Sequence, residues 1–224
     1  MKLSPVLDAV RISSEAMETI VLDHPLVHHK LALLRDRKTG GALFRQLLEE
    51  LGLLLAAEAS RFLETETVSV ETPLERMEGR RLKPLDPVLV PVLRAGLGLL
   101  PPFLQLMPTA KVGHLGLYRD HDSLVPVPYY RNFPPVLHER HVFVLDPMLA
   151  TGGSASEALR QLKAAGAKRI TLVCLVGAPE GLARVRADHP DVQVVLAALD
   201  RQLNEKGYIL PGLGDAGDRL FGTT

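Results

Sequence analysis

One acid, two glycines and two hydroxyls fall close together in Asp146-Pro147-Met148-Leu149-Ala150-Thr151-Gly152-Gly153-Ser154. Glycines let a backbone approach a ligand closely, and unpaired N–H groups at a helix start point at an anion. Thr151 and Ser154 can add hydroxyl donors. This is chemistry for holding a phosphate. Thr-Gly-Gly-Ser by itself reads better as an ordinary turn, with Ser154 as a helix N-cap and Asp146 as a solvated charge at a strand end. The flanking elements favour the phosphate reading. Residues 142–145 are an apolar run that predicts a buried strand, and residues 155–163 have helical composition leading to Gly166 as a stop. No Gly-Lys-Ser/Thr follows, so the loop is not a Walker A motif, and no G-x-G-x-x-G opens the helix.

Other residues with reactive side chains are weaker signals. Arg94 follows the apolar strand 87–93, where open α/β sheets place ligand-binding groups, but a helix-flanking charge would look the same. Arg119 ends a further strand at 111–118 and reads equally as a solvated charge. Cys174 lies inside the apolar run 170–176 and is expected to be a small core residue. His24, His28 and His29 have no acidic or cysteine partner at ligand spacing and are expected to be surface or packing residues.

The loop at 146–154 resembles the 5-phosphoribosyl-1-diphosphate (PRPP) loop of type I phosphoribosyltransferases, the uracil branch in particular. Two further stretches resemble the same branch: 91–98, with Arg94-Ala95-Gly96-Leu97-Gly98, and 207–218, with Gly-Leu-Gly-Asp-Ala-Gly-Asp. The general family has two adjacent acids at the strand end, whereas here the second is Pro147, as is typical of the uracil branch. The resemblance runs from about residue 24 to the end and implies transfer of phosphoribose from PRPP to uracil, giving UMP and diphosphate in pyrimidine salvage. It implies that Arg94, Asp146 and Asp215 are catalytic. It assigns PRPP to Arg94, Arg119, Asp146, Pro147, Met148, Leu149, Ala150, Thr151, Gly152, Gly153, Ser154 and Asp215. Uracil falls to Ile209, Gly214, Asp215 and Ala216. Mg²⁺ is the implied cofactor, held mainly through PRPP with no dedicated protein ligands. A homo-oligomer and activation by GTP are properties of relatives. The diphosphate loop of related enzymes can carry a non-proline cis peptide, which the sequence leaves open at Leu93–Arg94. A protein of this fold could instead be an RNA-binding regulator of pyrimidine metabolism.

Composition narrows these choices. The 224 residues carry 26 Lys and Arg against 26 Asp and Glu, so no global field favours nucleic acid or a membrane surface. Trp is absent and aromatics are 4%, which speaks against a stacking platform for single strands. One cysteine excludes an internal disulfide framework, and no apolar run is long enough to span a bilayer. A cytoplasmic protein is expected.

These residues need a scaffold to hold them. Alternating β and α segments predict an α/β fold, a mostly parallel twisted sheet flanked by helices. Helices are expected at 26–35 and after Thr39, the latter with a stripe of Leu43, Leu47, Leu48, Leu51, Leu54 and Leu55. Strands are expected at 66–71 near a sheet edge, 170–176 and 192–199, with a short helix at 180–186. Pro91 predicts an edge position or a bulge for the strand at 87–93. The proline-rich stretch 125–130 reads as extended, and resemblance makes it a flexible arm. Residues 204–218 look too glycine-rich for a helix and too irregular for a strand, and resemblance makes about 200–224 the base-binding hood. Residues 1–23 are expected to be an N-terminal extension, with Met17 an alternative start, and 24–224 the domain.

Overall fold

The computed structural model describes residues 9–14, 17–119 and 126–223, with 9–14, 17, 18 and 119 described in backbone only. Six parallel strands form its centre, in the order β2 (Met17–Leu22), β12 (Gln193–Leu199), β11 (Arg169–Gly177), β9 (His141–Leu145), β5 (Val88–Leu93) and β7 (His114–Arg119). Antiparallel strands β1 (Ala9–Ser14) and β8 (Pro126–Asn132) close the two edges. Two-residue strands β6 (Lys111–Val112) and β10 (Met148–Leu149) attach to β5 and β11.

Alternation along the strands divides the core into two layers. Phe143 and Leu145 of β9 face α1 (Pro25–Arg35), α2 (Gly41–Ala59) and α3 (Leu100–Leu106), where Phe44, Leu51 and Phe103 are fully buried. Val142 and Val144 face α4 (Gly153–Ala164) and α5 (Pro179–Asp188), through Ala158, Leu159 and Leu182. Each fully buried Leu, Val or Phe contributes about 1.5–3 kcal/mol of transfer free energy. A strand buried on both faces, such as β9, therefore reads as an unbroken apolar run rather than an alternating one.

Several expectations need correction. Strand β5 is central, not an edge, although Pro91 lies within it. The carbonyl of Leu89 accepts from Gly113 N–H, so residues 89, 91 and 93 turn their backbone groups towards β6 and β7. The N–H that Pro91 lacks would have met Gly113 C=O, so the one ladder bond that Pro91 cannot make falls in the gap between β6 and β7. The strand at 66–71 is not in the main sheet. It is β3 (Thr65–Glu71), paired only with β4 (Arg76–Leu82) in a separate hairpin. Thr72 closes the turn, its hydroxyl accepting from Leu74 and Glu75 N–H. Leu43 is exposed rather than part of the buried stripe of α2. Met17–Leu22, assigned to the extension, is hydrogen-bonded into the sheet beside β12.

The hood is also more regular than its glycines suggested. It holds the pair β13 (Gln202–Leu203) and β14 (Ile209–Leu210), then helix α6 (Ala216–Phe221). Asp215 caps α6 by accepting Asp218 N–H at 2.9 Å. The cap satisfies one of the unpaired N–H groups at the start of a six-residue helix that contains Gly217. The proline-rich stretch is the edge strand β8, a position that tolerates missing donors. The tip that joins it to β7, residues 120–125, lies outside the described residues.

Candidate active site

All three motif regions converge at the carboxyl ends of the central strands. The loop after β9 is held by the neighbouring strand, because Asp146 N–H donates to Val173 C=O and Pro147 C=O accepts from Leu175 and Val176 N–H. Gly152 then takes φ +76°, and a Cβ there would come within 2.7 Å of the Gly181 carbonyl of α5. Glycine is required by both conformation and space. Gly152, not Ser154, is the N-cap of α4, and Ser154 lies in its first turn. The loop therefore feeds straight into a helix N-terminus of 12 residues, with its dipole aimed at any bound anion.

Two cavities meet at this loop. One, of about 290 Å³, is lined by Thr151 to Ser154, by Met148, Leu149 and Ala150, and by Arg94. The other, of about 330 Å³, is closed by the hood residues Ile209, Gly214, Asp215 and Ala216. Asp146, Met148, Ala150, Asp215 and Ala95 line both. A molecule filling one cavity would touch a molecule filling the other across that shared wall.

Asp146 is half-buried and lines both cavities. Among the described residues, its carboxyl has one hydrogen bond, from Met148 N–H at 3.4 Å. Burial pushes its pKa up to about 7, against a small opposing effect of that N–H. Cys174 is fully buried; burial first, and then the neighbouring Asp146, raise its thiol well above the ordinary range, as befits a core residue. Arg94 follows a cis Leu93–Arg94 bond, and its Nη2 lies 3.3 Å from the Asp218 carboxylate.

The structure thus brings together Arg94, Asp146, Met148 to Ser154, Ile209, Gly214, Asp215 and Ala216. Pro147 lines neither cavity, since its carbonyl is committed to β11. Arg119 ends β7, and its side chain lies outside the described residues. Sequence reasoning missed Ala95, Lys206, Gly207, Tyr208 and Gly217, which complete the base-side cavity. All five lie inside or beside the quoted motifs, but nothing in their residue types singles them out.

This arrangement of a doubly covered parallel sheet, a strand-end acid and a glycine loop into a helix defines a type I phosphoribosyltransferase fold. Adenine phosphoribosyltransferase from Trypanosoma brucei, solved with AMP, pyrophosphate and ribose-5-phosphate, shares the fold at TM-score 0.59 and 12% identity, over 93% of this chain and 91% of that one. The AQ2163 protein from Aquifex aeolicus is much nearer, at TM-score 0.86 and 39% identity over 92% of this chain and 99% of that one. The family profile of uracil phosphoribosyltransferase matches residues 21–223. Uracil phosphoribosyltransferase from Symbiobacterium thermophilum is 55% identical over 204 residues, 91% of this chain and 98% of that protein. The chain belongs to the uracil phosphoribosyltransferase family.

Proposed function

We propose that the protein transfers the phosphoribosyl group of PRPP to N1 of uracil, releasing diphosphate and forming UMP in pyrimidine salvage. The observation that carries this is the shared wall: a phosphate-type cavity and a hood-bounded cavity meet at Asp146 and Asp215. The 5-phosphate would rest on the backbone of Thr151 to Ser154. The ribose hydroxyls would donate to Asp146, replacing the water it has lost. Arg94 and Arg119 would take the diphosphate, each charge-assisted hydrogen bond contributing about 1.5–3 kcal/mol. In the reaction the bond from C1 to the diphosphate oxygen breaks with its electron pair, N1–C1 forms, and N1 gives its proton to solvent. No side chain is placed as an obvious general base, so positioning and electrostatics would carry the rate.

Among the described residues, no three His, Cys, Asp or Glu side chains gather into a metal-holding group. Asp146 and Asp215, the carboxylates that line both cavities, would meet Mg²⁺ carried mainly by PRPP oxygens, and the ion would neutralise departing diphosphate. No helix among the described residues is long and apolar enough to cross a membrane. A cytoplasmic location follows from the sequence composition, and a homo-oligomer and activation by GTP from the resemblance; these complete the reading.

Half of the hood residues lining the base cavity are Gly207, Gly214, Ala216 and Gly217, which offer little but backbone, so base choice should follow backbone polarity there. A carbonyl can accept from uracil N3–H, and N–H groups can donate to O2 or O4. Cytosine presents an acceptor at N3 and a donor at C4, leaving two buried mismatches. Polar sites of this kind discriminate by about 10⁴-fold or more. Initial rates with PRPP and uracil, a C5-substituted uracil or cytosine test this. Uracil should react, C5 analogues should react where they fit, and a cytosine rate comparable to uracil would sink the pocket assignment.

A further inference from the structure

The segment that closes the base cavity is gripped from behind by two residues that line neither cavity. Asp200 directly follows β12 and is buried, its side chain only 5% exposed. Arg35, the last residue of α1, meets it with both arms of its guanidinium: Nη1 lies 2.7 Å from Oδ2 and Nη2 lies 2.6 Å from Oδ1. The same pair holds both backbone groups of one hood residue. Gly212 N–H donates to Asp200 Oδ2 at 2.9 Å, and Gly212 C=O accepts from Arg35 Nη1 at 2.7 Å.

Gly212 sits midway along the cavity-lining stretch. Its φ is +61°, and a Cβ there would come within 2.2 Å of the Ile209 carbonyl, so the turn folds directly back on Ile209. Ile209 on one side of it, and Gly214 to Ala216 on the other, all line the base cavity. Fixing Gly212 therefore fixes both walls. The next residue is held too, since Arg219 donates to Leu213 C=O at 2.8 Å and reaches Asp36 C=O at 2.8 Å.

We propose that Arg35 and Asp200 are positioning residues for base selection, acting through Gly212 on the backbone that meets uracil; this rests on the uracil reading of the cavity. Recognition by backbone groups has no rotamers to adjust. It depends on the loop being held to within about 0.5 Å, by a shell that is itself locked. A planar fork bonded to both carboxylate oxygens and a carbonyl does this, whereas a lysine can supply the charge but not the fork. Burial makes the pair costly to leave half-made.

Two full-length variants test the idea, Arg35→Lys and Asp200→Asn. In Arg35→Lys the charge is kept, so it should fold even where Asp200→Asn does not. The KM for uracil should rise about tenfold or more, the preference for uracil over cytosine should fall about tenfold, and the KM for PRPP should stay within twofold. Hydrogen exchange over 209–216 should quicken while exchange over 146–154 stays unchanged. A variant that only melts earlier, with wild-type uracil KM and base preference, overturns the proposal, as does equal loss for both substrates or unmoved exchange at 209–216. Wild-type protein that fails to turn over uracil would instead defeat the functional reading, and the base-selection role with it.

Discussion

Strand β9 has a titratable side chain at each end, His141 buried and Asp146 half-buried, and the two are treated in opposite ways. His141, at its start, is stacked on Phe143 with ring centroids 4.7 Å apart, and its Nε2 lies 2.8 Å from Thr171 Oγ1. Burial, with Arg169 nearby, pushes its pKa down to about 4, so the ring is neutral and partnered. Asp146, just past the other end, has one long hydrogen bond and a pKa pushed up to about 7. The ring at the first end is neutral and hydrogen-bonded, although it too borders a cavity, of about 400 Å³. The other end is a half-buried acid with unfilled acceptor capacity opening on two cavities, which is what a site awaiting hydroxyl donors requires.

The sharpest way to break this comparison is to remove the charge at the site end. Asp146→Asn keeps shape but not a full acceptor for the ribose hydroxyls, so kcat/KM for PRPP should fall on the order of 100-fold or more, with uracil affinity far less affected. The fold should not suffer. A carboxyl whose folded pKa exceeds its unfolded value loses stability as pH rises from about 4 to 7, and the amide escapes that loss. Unchanged steady-state constants for PRPP would remove Asp146 from the site.

Arg94→Met and Arg119→Met come next. Each should weaken PRPP use about 10- to 100-fold, the worth of a charge-assisted fork on phosphate. Calorimetric binding of UMP should change less, because UMP lacks the diphosphate. Equal losses for both ligands would point to a damaged fold rather than a missing diphosphate contact.

At the other end, His141→Gln should lower stability by about 1–3 kcal/mol and leave kcat/KM within twofold. The wild-type pH profile should show the same residue. Its folded pKa lies below the unfolded value, so its contribution is complete above about pH 6.5 and is lost as pH falls towards 4. Denaturant titrations at pH 5 and pH 7 should show a gap between wild type and variant that narrows at the lower pH. A variant that loses activity but not stability would reverse the assignment of the two ends.

Much of this contrast was legible in the sequence. The apolar run of β9, the following acid and the glycine loop announce a strand, a strand-end ligand and a helix start, because each rests on local patterning. The two-layer core follows from the same patterning. What escaped depends on contacts between distant segments. Pro91 sits in a central strand and leaves one gap in the ladder opposite Gly113, and no local rule contains that pairing. The hairpin at 65–82 looked like a sheet edge because alternation shows a two-faced strand but not its partner. The hood helix depends on Asp215 capping it, and that same residue lines both cavities. Lys206 and Tyr208 reach the base cavity through the fold of the hood rather than through any spacing rule.

The smallest expected effect is also the most specific, since it counts a proton. With a pKa of about 7, the Asp146 carboxyl is mostly neutral at pH 6.5 and mostly ionised at pH 8.5. Ribose hydroxyls donating to it favour the carboxylate, so PRPP binding at pH 6.5 should expel the proton that burial had retained. Calorimetry in two buffers of different ionisation enthalpy measures that release. The phosphates of PRPP exchange protons as well, but they do so in every variant. Wild type should therefore release a large fraction of one proton more than Asp146→Asn at pH 6.5, with the difference vanishing by pH 8.5. Protein carrying His141→Gln should match wild type at both pH values, because that imidazole is neutral throughout this range and lies at the far end of the strand. An Asp146→Asn protein that binds PRPP with the wild-type proton count at pH 6.5 would show that the half-buried acid keeps its proton in the complex, and the ribose hydroxyls would then need another acceptor.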